Sequence, residues 1–133
     1  MPMDSSGKSG KKHPFHKSLF YALRGILTGF RQERNVRIHT AVTVLVLISG
    51  WFFSLSAIEW LFILAAIGGT IALELVNSAI ERTVDLAVKE YHPLAEQAKD
   101  MAAGAVLVYT LLSILVGIII FVPKLVQSYN LFL

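Results

Sequence analysis

The stretch IEWLFILAAIGGTIALELVNSAIERTVD, residues 58–85, decides the fold. Its first sixteen residues, Ile58 to Leu73, are apolar apart from Glu59 near one end and Thr70, with Gly68 and Gly69 as small residues between. Extended by a few residues, such a run forms a helix of about 20 residues that crosses the roughly 30 Å hydrocarbon core of a bilayer with every backbone polar group satisfied internally. Glu74 then falls at the edge of the hydrocarbon. Glu74, Asn77, Glu81 and Asp85 follow at steps of three, four and four residues. At about 100° per residue, all four lie within roughly an 80° arc of one helix face. One long helix is predicted, apolar in its membrane part and polar along one stripe where it leaves the bilayer.

Working outward, the composition agrees. The chain has 133 residues, 55% hydrophobic and 16% charged, with a mean hydropathy of +0.63. That is more apolar than a soluble domain of this size can hide. At about 20 residues per span there is room for at most four, which leaves no residues in this chain for a separate soluble catalytic domain. The chain contains no cysteine, so disulfide frameworks, thiolate metal sites and cysteine nucleophiles are excluded together.

Residues 1–12 form a Gly/Ser/Lys tail, expected to be disordered and close to anionic headgroups. It does not read as a signal peptide, because no short apolar run with a cleavage site precedes Arg24 and Arg31. Leu19, Phe20, Leu23, Ile26, Leu27 and Phe30 then recur at three- and four-residue steps, with Lys17, Arg24, Arg31 and Arg34 at other positions. This predicts a basic amphipathic helix over about 14–34, lying in the interface plane. Ile38 to Phe53 is the core of a first span, placed at about 36–54. A turn around Ser54 to Ala57 leads to the second, at about 57–89, with Trp51 and Trp60 as interfacial anchors and Glu59 as an interfacial residue beside them. Tyr91-His92-Pro93 stops that helix, since proline cannot continue the hydrogen-bond ladder. The third span, at about 96–122 with its apolar core from Met101, is expected to end at Pro123, and residues 127–133 to form a C-terminal tail. The fold class is all-α integral membrane: a surface helix plus three transmembrane helices within residues 13–126.

Lys8, Lys11, Lys12, Lys17, Arg24, Arg31, Arg34 and Arg37 precede the first span, and Arg82, Lys89 and Lys99 lie on the connection after the second. Only Lys124 falls on the other side. By the positive-inside rule, the N-terminus and the 82–100 connection are cytoplasmic and the C-terminus lies outside.

On that side three carboxylates, Glu33, Glu81 and either Glu74 or Asp85, stand with Lys99 as a set suited to phosphoryl transfer: hard oxygens for Mg²⁺ and a cation for phosphate. A carboxylate at the membrane edge also suits accepting the proton of a lipid hydroxyl. The plainer alternative is a solvated helix end whose acids pair locally with Arg82 or Lys89; it explains Glu81 and Asp85 better than Glu74, which is costly beside an apolar run. An ion or proton path would need polar residues continuing through Ile58–Leu73, where Thr70 alone offers one. Gly7-Lys8-Ser9 resembles the end of a P-loop, but the motif's first glycine would fall at Pro2, with no strand before it. Gly68-Gly69 reads as close helix packing. His39 and His92 fit surface or capping roles as well as functional ones. No nucleic-acid partner is expected.

The block Glu74 to Asp85, followed by Glu90-Tyr91-His92-Pro93-Leu94-Ala95 and by Ala98-Lys99-Asp100-Met101-Ala102-Ala103-Gly104-Ala105-Val106, with Glu33 upstream of the first span, resembles the prokaryotic diacylglycerol kinase family over about Phe15 to Val122. The resemblance implies a small kinase of the bacterial inner (cytoplasmic) membrane, a homotrimeric bundle whose active sites are shared between subunits, using ATP and Mg²⁺. It implies Glu74 as general base for the lipid hydroxyl, Glu33 and Glu81 as Mg²⁺ ligands around ATP, and Asn77 and Asp85 as supporting polar groups. Tyr21, Glu90, Tyr91, His92, Lys99 and Asp100 fall where the family holds the nucleotide. One position departs from the pattern: Pro14 stands where the family can use an arginine, with Lys12 or Lys17 as substitutes. The segments Glu33 to His39, Asp85-Leu86-Ala87, His92 to Ala95 and Ala102 to Val106 resemble the undecaprenol kinase branch more than the diacylglycerol kinase branch. Undecaprenol is thus the implied lipid alcohol, with diacylglycerol the alternative.

Overall fold

The computed structural model describes residues 15–131; the basic tail, the Gly7-Lys8-Ser9 fragment and Pro14 lie outside the described residues. Four helices follow one another: α1 (Phe15–Gln32), α2 (Arg34–Phe52), α3 (Ala57–Ala87) and α4 (Pro93–Leu131). The last three are each long and apolar enough to cross a membrane. At about 1.5 Å per residue α2 is about 28 Å long, close to the thickness of the hydrocarbon, whereas α3 and α4 reach about 46 and 58 Å and must project beyond it. The polar stripe occupies the second half of α3.

The breaks have local causes. Glu33 interrupts the first two helices with an extended backbone (φ −99°, ψ 122°), although its N–H still bonds the Gly29 carbonyl at 2.8 Å. Ser56 caps α3: its hydroxyl accepts from the Glu59 N–H (3.3 Å), and the Glu59 carboxylate accepts from the Ser56 N–H (2.7 Å). This reciprocal arrangement satisfies two orphan donors at the helix start. Glu59, expected as an interfacial residue, is therefore a capping residue as well. The α3 helix ends at Ala87 and Val88 turns extended. Pro93, expected to end one helix, opens the next, where its missing N–H costs nothing.

Pro123 does not end α4. The helix runs through it to Leu131, so most of the segment 127–133 expected as a tail is helical. A mid-helix proline removes one backbone hydrogen bond, a loss tolerated in membrane helices when neighbouring groups hold the flanking turns. Here the next residue, Lys124, pairs with Glu59 of α3 (3.2 Å).

Helices α3 and α4 pack most extensively, α2 lies on α3, and α1 touches α2 and α3 lightly. The buried apolar core is thin: Leu55, Ile63 and Ile120, flanked by Val46, Trp60, Ile67, Val116 and Phe121. Most large apolar side chains face outward, as a lipid solvent permits. Close approach replaces bulk. A Cβ at Gly69 would overlap the Tyr109 ring, whose hydroxyl donates to the Ala65 carbonyl at 3.0 Å, so that glycine lets α4 settle against α3. Gly68 meets nothing there, and the packing role expected of the pair belongs to Gly69 alone. Thr70 and Ser113 hydroxyls meet at 3.1 Å across the same seam.

Candidate active site

The polar stripe of α3 is graded by burial. Glu74 is 3% exposed and Asn77 8%, Glu81 is half-buried, and Asp85 is exposed. The inner end of the stripe lies against α2, where His39 meets Glu74, and the outer end opens into the cleft between the end of α3 and the start of α4. Each member has a different partner. His39 Nε2 of α2 stands 3.3 Å from Glu74 Oε1. Asn77 Nδ2 donates to Glu81 Oε1 at 3.0 Å, while Asn77 Oδ1 is buried with no hydrogen-bond partner. Lys99 Nζ of α4 donates to Asp85 Oδ1 at 2.8 Å. Arg82, one candidate for local pairing with the stripe, turns away from it to Glu33 at the α1–α2 break. That bond ties the first break in the chain to the third helix.

The residues expected around the nucleotide separate into two places. Asp85, Glu90, Tyr91, His92, Lys99 and Asp100 line one cleft of about 310 Å³ between the end of α3 and the start of α4. Tyr21 does not join them; it lines a second cleft of about 620 Å³ between α1 and α3, with Arg24, Ser78 and Arg82. Within the first cleft His92 acts on the backbone as well: its Nδ1 accepts from the Leu94 N–H (3.2 Å), so a neutral ring there carries its proton on Nε2. Tyr91 donates its hydroxyl to Glu96 Oε2 at 2.7 Å, and that bond to a carboxylate, with a smaller contribution from burial, raises the phenol above its ordinary value.

Sequence reasoning missed Glu96 in this cleft and His39 beside Glu74. Glu96 sits in the first turn of α4, where an acid complements the helix dipole, and that position was a readable signal. His39 had none, since thirty-five residues separate it from Glu74.

Among the described residues, no three His, Asp or Glu side chains gather closely enough to hold a metal ion. The donor types fit a hard cation nonetheless. Glu81 and Glu33 offer carboxylate oxygens, and the unpartnered Asn77 Oδ1 beside Glu81 is a third oxygen of the same class. Within one chain this set is incomplete, with Glu33 engaged by Arg82.

Residues 20–121 match the prokaryotic diacylglycerol kinase family. The chain belongs to that family. It is accordingly a lipid kinase and a multi-pass membrane protein. Among family members, it is 49% identical to the undecaprenol kinase of Bacillus subtilis, an alignment covering 92% of this chain and 100% of the relative. It is 35% identical to a diacylglycerol kinase of Synechocystis over 92% of this chain and 77% of that one. A diacylglycerol kinase of Pseudomonas aeruginosa is 34% identical over 78% of this chain and 84% of its own. The family match contains every residue of the stripe and of both clefts.

Proposed function

We propose that the chain transfers the γ-phosphoryl group of ATP to the hydroxyl of undecaprenol, with Glu74 as general base. The observation that carries this reading is the Glu74 carboxylate, 3% exposed at the head of a polar stripe on an apolar helix. A carboxylate withdrawn from water where hydrocarbon ends can meet a hydroxyl whose chain stays in the membrane. The alcohol oxygen attacks Pγ, its proton passes to Glu74, the bond from Pγ to the bridging oxygen breaks, and ADP leaves. Glu33 and Glu81 would hold Mg²⁺, which when bound neutralises charge on the phosphates. Lys99 supplies a fixed cation in the cleft with Glu90, Tyr91, His92 and Asp100, and Tyr21 with Arg24 lines the other cleft.

The reading includes a homotrimer with shared sites, because in one chain Tyr21 and the α3–α4 cleft are separate and the carboxylate set is incomplete; a neighbouring subunit supplies what is missing. It also places α1 in the interface plane, with its exposed Phe15, Leu19, Leu23 and Ile26 toward lipid, and the basic end of the bundle in the cytoplasm of a bacterial inner membrane. Undecaprenol is favoured over diacylglycerol by the 49% identity to an undecaprenol kinase over nearly the whole chain, against 35% to a diacylglycerol kinase over the same share.

The test is phosphorylation of undecaprenol and diacylglycerol side by side in mixed micelles by purified protein with labelled ATP and Mg²⁺. Preferential labelling of undecaprenol is expected. Preference for diacylglycerol overturns the substrate, and absence of lipid labelling with either overturns the reading.

A further inference from the structure

Four carboxylates of the described residues stand within ion-pair distance of a basic group, and one pair differs from the rest. Glu33 is held by Arg82, Asp85 by Lys99 and Glu59 by Lys124. Glu74, the most buried of the four, faces His39 instead, at 3.3 Å from Nε2 to Oε1. The His39 side chain is itself 23% exposed and that of Glu74 4%. An arginine or lysine there would be a permanent cation and would oppose the carboxylate's taking up a proton. A ring N–H is a single directional donor that orients one oxygen and compensates part of the hydration lost on burial.

The same histidine borders hydrocarbon. With Ile38, Val42, Ile67 and Ile71 it lines a partly open cavity of about 400 Å³ between α2, α3 and α4, almost wholly apolar. His39 thus stands where an apolar space meets the buried carboxylate, contributed by a helix that carries no other member of the stripe.

Resting on the reading of Glu74 as general base, we propose that His39 is a positioning residue of phosphoryl transfer: from its 3.3 Å contact with Glu74 Oε1 its Nε2–H closes to a hydrogen bond when substrate is in place, as catalytic contacts tighten on binding, and leaves Oε2 to the hydroxyl of the lipid alcohol. The hydroxyl proton passes to Oε2 as the oxygen–phosphorus bond forms and the bond to ADP breaks. His39 keeps its own proton throughout and touches neither substrate nor phosphate.

The experiment uses the full chain in micelles with undecaprenol, diacylglycerol and ATP, comparing His39→Leu, His39→Gln and Glu74→Gln. Loss of orientation at a reacting group costs on the order of 10²-fold, so His39→Leu is expected to lower kcat by about that factor with KM for ATP unchanged. His39→Gln, whose amide N–H reaches a similar distance, recovers most of the loss. In unsubstituted protein labelled with ¹⁵N-histidine, the Nε2 resonance of His39, assigned by its disappearance in His39→Gln, moves when Glu74 becomes glutamine; this holds even if His39→Leu fails to fold. Full activity of His39→Leu beside an inactive Glu74→Gln overturns the positioning role alone. Equal losses in both His39 variants, or a resonance indifferent to Glu74→Gln, overturn it in favour of packing. Full activity of Glu74→Gln overturns the general-base reading itself.

Discussion

The two ends of α3 both carry acidic side chains and use them differently. At the end beside the Ser54 turn, Glu59 caps the helix through Ser56 and pairs with Lys124, so its carboxylate is occupied by structure on two sides. At the other end the backbone is continuous past Glu74, Asn77 and Glu81, and none of them has a helix terminus to cap. There the acids are arranged by depth, one is nearly dry, and Asn77 Oδ1 is left without a partner. A buried polar atom without a hydrogen bond is destabilising. That atom stands beside a row of carboxylates, at the end where two clefts open and where the proposed site lies, whereas the Glu59 carboxylate serves the helix start and its contact with α4.

Breaking the open end has the largest expected effect. Glu74→Gln keeps shape and hydrogen-bonding capacity but cannot accept the proton, so kcat for lipid phosphorylation should fall by about 10²–10⁴-fold while circular dichroism stays unchanged. Next is Glu81→Gln, which can still accept from Asn77 yet offers a neutral oxygen to Mg²⁺. The Mg²⁺ concentration for half-maximal activity should rise by at least about 10–100-fold, the cost of losing even an outer-shell partner of a metal, read by titration at saturating ATP.

The seam between the two ends comes third. Gly69→Val forces side-chain atoms into the Tyr109 ring, and overpacking of this kind costs about 1–3 kcal/mol, measurable as a lowered denaturation midpoint in micelles. Gly68→Val, facing open space, should leave the midpoint unchanged and serves as its control. The smallest effect belongs to the closed end. Ser56→Ala removes the cap at a cost of about 1 kcal/mol of helix stability, with kcat and both KM values unaltered. A large loss of turnover from Ser56→Ala would erase the distinction between the two ends.

Legibility followed the same division. The stripe from Glu74 to Asp85 was readable because four positions on one helix share a face by periodicity alone. The grouping of Glu90, Tyr91, His92 and Lys99 came instead from the family resemblance, and in the structure these four line one cleft around a single turn. The capping role of Glu59 is equally local, a serine followed three residues later by glutamate before an apolar run. Pro123 does not end α4 as local rules predict, because α4 lies against α3 and Lys124 pairs with Glu59. The Glu33–Arg82 and His39–Glu74 pairs span 49 and 35 residues, and no short-range pattern reaches that far.

The amino-acid order by itself determined the membrane class, the three long apolar helices and the face of α3 that bears the acids, because hydropathy and helical period are properties of neighbouring residues. The tertiary structure alone decided which partner each acid received. Periodicity states the direction in which a side chain leaves its own helix, but not how far an adjacent helix is shifted along its axis. A displacement of one turn, about 5.4 Å, would exchange His39 for another residue of α2 opposite Glu74.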